Sequence, residues 1–433
     1  MNIDSLYQIY LECNNQVSTD SRNCPINSLF FALKGDNFDG NKYADSALSN
    51  GASYAVIDNE AYKKDNRYIV VENTLESLQQ LANFHRKKLG TPIIGITGTN
   101  GKTTTKELIA AVLTKKYKIQ FTKGNLNNHI GVPLTLLSIR PEHELAVVEM
   151  GANHLGEIKF LTNIVEPNYG IITNVGKAHL EGFGSFEGVI KTKSELYDYL
   201  REQKDGVVFV DADNDILSKK VEGIAHIQTY GTTNIAEVIA HPNSKAFTLE
   251  FEWNKKQNKE VHHIKTQLIG NYNLSNALAA VTIGLYFEVP AEDIDTALTQ
   301  YEPNNNRSQA KKTEKNQLII DAYNANPTSM MAALTNFAKI EAQNKVVILG
   351  DMKELGKDSL EEHQKIVNYL TSESTIQKVI LVGDEFSSLD NYFEHYKNVE
   401  ELRFILKSAP LADKTILIKG SNSIKLASII DEL

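Results

Sequence analysis

The stretch "GTNGKTTT", Gly98 to Thr105, places two glycines, a lysine and four threonines between an apolar run and a helix-like segment. A strand, a glycine-rich turn and a helix opening at Lys-Thr form the geometry that phosphate groups need. The turn aims backbone N–H groups at the anion, and the helix N-terminus adds a favourable dipole. In that reading Gly98, Thr99, Asn100, Gly101 and Thr104 shape the cradle, Lys102 neutralises the β- and γ-phosphates, and Thr103 offers its hydroxyl to Mg²⁺. The usual loop keeps four residues between its first glycine and Gly-Lys-Thr. Here that count lands on Ile96, and the glycines sit at Gly95 and Gly98. A mere tight turn accounts for the glycines but not for Gly-Lys-Thr at a strand-to-helix junction. The loop alone leaves open whether the γ-phosphate goes to water, a hydroxyl or a carboxylate.

Three later residues have the chemistry to complete such a site. Glu149 closes the run "LAVVE", His179 lies in "TNVGKAHLEGFGS" and Lys193 lies in "IKTKSELYDYL". Ligands of a parallel sheet gather at the carboxyl ends of its strands, so Glu149 and His179 can share a crevice with the loop. A carboxylate and an imidazole there suit a divalent metal. Each alone also has a plainer reading, as a solvated strand end or a packed or surface histidine.

The elements that must position these residues follow from the apolar pattern. "TPIIGIT" reads as the strand entering the loop, and "TTKELIAAVLTKKY" as the helix leaving it, with Leu108, Ile109, Val112 and Leu113 on one face. "LAVVEM" (145–150) and "NYGIITNV" (168–175) add strands, and alternation with helices implies a parallel sheet covered on both faces. Upstream, "SLFFALKG" (28–35) and "ASYAVID" (52–58) precede a helix over 74–90, with Leu75, Leu78, Leu81 and Phe84 at three-residue spacing and a glycine at its end. From about 205 to 270, "GVVFVD", "AFTLEFEW" and "VHHIKTQLIG" read as extra sheet in the central domain. After "YEPNNNRSQ" (301–309), the runs "QLIIDAY", "KVVILGD", "KVILVGD" and "KTILIKG" form a Rossmann-like series without a Gly-x-Gly-x-x-Gly.

The expected fold is therefore α/β in three domains. They are a small mixed N-terminal domain (1–88), a central phosphate-loop parallel-sheet domain with added β structure (89–306), and a Rossmann-like C-terminal domain (307–433). A length of 433 residues accommodates three cores, and 42% hydrophobic with 23% charged residues is an ordinary globular balance. No apolar stretch approaches a membrane span of about 18 residues, and the N-terminus lacks the pattern of an export signal. Cys13 and Cys24 are too few for a disulfide scaffold and read as reduced thiols, so a cytoplasmic location is expected. The net charge of −9 argues against a broad nucleic-acid-binding face. Nothing demands more than a monomer.

"ITGTNGKTTTKEL" resembles the loop of the Mur ligases, ATP-dependent amide-forming enzymes of peptidoglycan synthesis whose phosphate loop has this shorter glycine spacing. The finer likeness is to the branch that adds D-alanyl-D-alanine. It rests on "GNLNNHIGVPLTLL" (124–137), "EMGANHLGEI" (149–158), "TNVGKAHLEGFGS" (173–185), "DAYNANPTSM" (321–330) and "LGDMKELG" (349–356). The N-terminal "DSRNCPINSLFFALKGDNFDG" is similar to the family's uridine-nucleotide-binding start. The resemblance implies ATP and Mg²⁺, with Lys102 and Thr103 on phosphate and metal, Glu149 and His179 holding Mg²⁺, and Lys193 carbamylated into an anionic metal ligand. It implies that Asn276 recognises adenine, that Arg307, Asp321, Tyr323 and Asn324 contact the nucleotide near the last domain, and that Ser21 and Arg22 begin the uridine-nucleotide site. Asn127 and Asn128 then line the path to the γ-phosphate. The substrates implied are UDP-N-acetylmuramoyl-tripeptide and D-alanyl-D-alanine, joined through an acyl phosphate.

Some positions depart from the family's pattern. "PINSLF" replaces a common Pro-Gly-Asp/Glu turn, Thr192 replaces a frequent Ala, and Tyr272 stands where His is common. Rival readings are a neighbouring amide ligase, such as the tripeptide-forming enzyme or a folylpolyglutamate synthetase, a nucleotide switch, and an inactive scaffold. "DAYNANPTSM" and "LGDMKELG" favour the dipeptide-adding branch. No Asn-Lys-x-Asp element marks a guanine switch, and Lys102, Glu149 and His179 are all retained.

Overall fold

The computed structural model describes residues 1–243, 246–258, 260–303 and 307–433. Its N-terminal unit is a parallel sheet in the order Val17–Ser18, Ser28–Phe31, Ala52–Ile57, Tyr68–Val70. The helix expected after it runs Thr74–Leu89. The Asn73 side chain opens it by accepting from the N–H groups of Leu75 and Glu76, two of the donors a helix start leaves unsatisfied. Leu78, Leu81, Ala82 and His85 form its buried face, whereas Leu75 and Phe84 are only partly covered. A stripe at three-residue spacing drifts around a helix of 3.6 residues per turn, so its ends slip off the core.

This helix packs on the central unit as well as its own sheet. Leu78 and Leu81 share one apolar cluster with Val132, Leu136 and Ile164. Arg86 Nε donates to Val165 O at 2.8 Å, and Gln79 Nε2 to His129 O at 2.9 Å.

The central strands lie in the order Ile119–Phe121, Leu145–Glu149, Ile93–Thr97, Tyr169–Ile172, Val207–Asp211, His226–Gly231, Val238–Pro242, all parallel. Ile93, Ile94 and Ile96 have no exposed surface, because helices cover both faces of the sheet. Burying each such side chain stabilises the fold by roughly 1.5–3 kcal/mol. Two antiparallel strands, Thr248–Lys255 and His262–Ile269, extend the same sheet, in keeping with the β-rich region read from 205 to 270.

The C-terminal unit continues from a single bridge, Leu268 to Gln309. Its order is Gln309–Lys312, Asn316–Asp321, Lys414–Lys419, Lys345–Gly350, Lys378–Val382, Glu394–Tyr396, parallel except for the first pair. The four runs expected as strands are strands. The expected boundary at 306 and 307 falls partly outside the described residues. Among the described residues, no helix is long and apolar enough to cross a membrane.

Candidate active site

Strand Ile93–Thr97 lies between the strands that end at Glu149 and Ile172, so the three carboxyl ends open side by side. The loop after Thr97 needs glycine at two points. Gly98 has φ +143°, with the place of a Cβ only 2.0 Å from Thr173 Oγ1. Gly101 has φ +79°, and a Cβ there would stand 2.5 Å from Asn276 Oδ1. Helix Lys102–Leu113 then begins directly at the lysine.

A second segment, Thr173 to Gly176, braces the turn. Thr99 N donates to Asn174 O (3.0 Å) and Asn100 N to Asn174 Oδ1 (3.0 Å), while Thr173 Oγ1 donates to Asn100 O (2.6 Å). Lys102 Nζ donates to the carbonyls of Gly98 (2.8 Å) and Thr99 (3.1 Å), which centres its charge over the turn. Burial lowers the Lys102 pKa, Glu149 opposes that shift, and Arg307 reinforces it.

Glu149 is 1% exposed. Its Oε1 accepts from Asn127 Nδ2 (2.8 Å) and Thr103 Oγ1 (3.3 Å), whereas Oε2 has no hydrogen-bond partner. The Lys106 ammonium stands 3.9 Å from that oxygen. Among the described residues, no three His, Cys, Asp or Glu side chains gather as a protein-only metal cage. An orphaned carboxylate oxygen beside a threonine hydroxyl nevertheless fits Mg²⁺, which takes one or two carboxylates and completes its shell with phosphate and water.

His179 adopts a left-handed backbone (φ 50°), and its Nδ1 contacts Glu354 Oε2 from the C-terminal unit. Burial lowers the His179 pKa, Glu354 opposes this, and Lys102 and Lys193 add to it. Lys193 lies on helix Phe186–Arg201, 2% exposed, with Nζ donating to Ala152 O at 3.2 Å. Burial, reinforced by Lys102, holds the Lys193 amine well below the ordinary lysine value. In its deprotonated form such an amine is a nucleophile toward CO₂. Its side chain stands behind Ala152 and is not part of the cleft wall.

The loop opens into one cleft of about 1150 Å³ walled by all three units. Thr99 to Thr104, Asn127, Asn128, Glu149, His179, Asn276, Arg307, Asp321, Tyr323 and Asn324 all face it. Ser21 and Arg22 do not: Ser21 O accepts from Asn50, and Arg22 folds back on Asp20 in a two-point ion pair. Asn128 doubles as a turn residue, with Oδ1 accepting from Gly131 N at 2.8 Å. Asn276 braces the loop, accepting from Thr105 Oγ1 (3.0 Å) and donating to Asn273 Oδ1 (2.8 Å).

On the C-terminal wall, the Arg307 guanidinium stacks 3.9 Å above the Tyr323 ring, and Asp321 pairs with buried Lys419 at 2.5 Å. Tyr272 OH meets Ser308 Oγ at 3.0 Å, so the tyrosine found in place of a common histidine is hydrogen-bonded. Lys106, Lys419, Glu354 and the Asn174 brace escaped the sequence reading. The lysine in "LIKG" at a strand's end was the one local signal for Lys419, by the same strand-end logic that singled out Glu149.

Fold and cleft together define a phosphate-loop α/β protein whose loop faces a Rossmann-like unit across a shared cleft. The chain matches the Mur ligase family, catalytic domain, over 15–86, the Mur ligase middle domain over 96–284, and the Mur ligase, glutamate ligase domain, over 306–422. It is 34% identical to the UDP-N-acetylmuramoyl-tripeptide–D-alanyl-D-alanine ligase of Bacillus subtilis, covering 96% of this chain and 92% of that one. Its likeness to the Escherichia coli enzyme of the same name is also 34%, over 96% and 93%. The crystal structure of MurF from Acinetobacter baumannii superposes with a TM-score of 0.85 at 31% identity, covering 96% of this chain and 92% of that one. The chain belongs to the Mur ligase family.

Proposed function

We propose that this protein is an ATP-dependent ligase that joins D-alanyl-D-alanine to UDP-N-acetylmuramoyl-tripeptide, giving the pentapeptide precursor of peptidoglycan, ADP and phosphate. The observation that carries the reading is the single cleft in which the loop, Glu149 and the Arg307–Asp321 wall meet. Full-length likeness to ligases of that name supports it.

The tripeptide's terminal carboxylate attacks the γ-phosphorus of ATP, the bond to the β-phosphate oxygen breaks, and an acyl phosphate and ADP result. The dipeptide amine then attacks the acyl carbon; phosphate leaves with the bonding pair, and the nitrogen loses a proton. Lys102 swings from the Gly98 and Thr99 carbonyls to the phosphoryl oxygens, where its charge is needed most in the transition state. Thr103, Glu149, His179 and a carbamate on Lys193 are the groups that would hold Mg²⁺, which when bound supplies Lewis-acid neutralisation of phosphate charge. Asn276 and Arg307 face the nucleotide, Asp321, Tyr323 and Asn324 shape its far side, and Asn127 and Asn128 border the path of the tripeptide.

The working division is 1–88 for the uridine nucleotide, with Ser21 and Arg22 at its start, 89–306 for ATP and 307–433 for the dipeptide. The protein acts as a cytoplasmic monomer in this reading. Phosphate release from ATP and Mg²⁺ tests it, with the pentapeptide followed by mass. Release and product appear only with both the nucleotide tripeptide and the dipeptide present, and Lys102→Ala lowers the rate by about 10² to 10³. A folded, ATP-binding protein that makes no product from either a lysine or a diaminopimelate tripeptide overturns it.

A further inference from the structure

The segment "LGDMKELG" has no part in the mechanism above, yet it reaches the cleft through one side chain. Glu354 stands on the turn after strand Lys345–Gly350, in a left-handed backbone conformation (φ 64°) that non-glycine residues seldom adopt. The turn is fixed from three sides. His363 Nε2 accepts from Met352 N (3.0 Å), Ser421 Oγ from Lys353 N (3.0 Å), and Asp351 N donates to Val382 O (3.0 Å). Strain held by so many bonds is a mark of a positioned side chain.

The Glu354 side chain is 56% exposed, and among the described residues its ion-pair partner is His179 alone. The other cleft carboxylates are committed elsewhere. Asp321 is neutralised by Lys419, and Glu149 accepts from Thr103 and Asn127 on Oε1 and keeps Oε2, 3.9 Å from the Lys106 ammonium, for the metal. Glu157 accepts from Asn153 N and His154 N, and Glu76, on helix Thr74–Leu89, accepts from Asn73 Nδ2 at 3.3 Å. His179, which Glu354 contacts, lines the same cleft as Lys102 and the phosphate loop, so Glu354 borders the phosphoryl end of the cleft. An amine nucleophile enters as an ammonium ion, is held by a counter-charge at that end, and passes one proton to water before its lone pair attacks the acyl carbon. We propose that Glu354 binds the ammonium group of the incoming dipeptide and so sets the specificity for a primary amine, an inference that rests on the ligase reading above.

The test pairs a change in the protein with the same change in the ligand. Propionyl-D-alanine is D-alanyl-D-alanine with hydrogen in place of the amino group, and it serves as the competitor. Glu354→Gln raises KM for the dipeptide about tenfold to a hundredfold and moves the inhibition constant of propionyl-D-alanine by less than about twofold, as expected when a charge-assisted contact is lost on one ligand only. Glu354→Asp, which keeps the charge, recovers part of the loss. Hydroxylamine, a small uncharged nucleophile, traps the acyl phosphate as a hydroxamate and reads the first step separately. In Glu354→Gln the dipeptide-dependent rate falls much further than hydroxamate formation. Equal weakening of both ligands, no change in either, or parallel loss of the hydroxamate overturns the proposal. Wild-type protein that forms neither hydroxamate nor pentapeptide overturns the ligase reading instead.

Discussion

At the scale of single residues, the site depends on charges held where water would not leave them. Lys193 is the extreme case: a buried amine beside Ala152 O and the Phe183 ring, with Lys102 adding repulsion. A lysine whose pKa is lowered loses its proton at a lower pH than an ordinary lysine, so more of the neutral amine that captures CO₂ is available at a given pH, and that fraction shrinks as pH falls. Lys193→Gln therefore folds but loses about tenfold to a hundredfold in activity, as disturbing the support of a metal site commonly does. With ¹³C-bicarbonate, wild-type protein gives a carbamate resonance that weakens on acidification and is missing from Lys193→Gln. A resonance that persists in the variant would show that it arises from another amine. How much of this was legible depends on how local the signal is. Lys102 and Thr103 announce themselves within one turn of chain, and Glu149 ends an apolar run. The pairs Lys106 with Glu149 and Asp321 with Lys419 join distant parts of the sequence and leave no periodic trace.

At the scale of elements, apolar runs bounded by turn residues gave the strand series of both larger units, because strands buried on both faces must be continuously apolar. Brackets between elements were not legible, since they are made of polar atoms meeting at loops. The turn carrying Glu354 shows one. His363, on helix Ser359–Ser372, accepts Met352 N on Nε2 while its Nδ1 donates to Ser359 O at 2.8 Å. Only the neutral imidazole can do both, and burial lowers its pKa below the ordinary 6.5. A folded-state value below the unfolded one means that the unfolded chain binds more protons between the two. The stabilisation is therefore complete above about pH 6.5 and is lost as pH falls toward the folded value. His363→Leu leaves the Met352 N–H without an acceptor, at a cost of about 1–3 kcal/mol. Melting curves from pH 8 to pH 5 check this: the gap between wild type and variant is widest at high pH and narrows below 6.5. A constant gap would mean that the imidazole proton plays no part.

At the scale of the whole molecule, the N-terminal and C-terminal units are attached to the centre in different ways. Helix Thr74–Leu89 joins the N-terminal sheet to the centre through a shared apolar cluster. The C-terminal unit is tied by one strand bridge, by Ile269 of the central unit in its apolar cluster, and by polar pairs across the cleft. Asn100 and Asn326 exchange amide hydrogen bonds (2.7 and 3.3 Å), Lys177 N donates to Thr328 Oγ1 (3.1 Å) and its Nζ to Glu362 (2.8 Å), and Glu354 meets His179. Polar contacts of this kind exchange readily with water, so relative motion of the units is expected, and ligands that bridge the cleft select the closed arrangement. Asn326 offers a selective probe, because its Oδ1 also caps helix Pro327–Lys339 by accepting from Ser329 N. Asn326→Asp keeps that cap, which aspartate serves as well as asparagine. The same change removes the N–H offered to Asn100 and sets two acceptors face to face. Small-angle scattering of wild-type protein with the nucleotide tripeptide, an unreactive ATP analogue and Mg²⁺ gives a smaller radius of gyration than the protein without ligands. Asn326→Asp matches the wild type without ligands, needs more nucleotide to contract, and melts at nearly the same temperature. Identical scattering with and without ligands would mean that the cleft works as a fixed groove, leaving the cross-cleft pairs to position groups and not to close a lid.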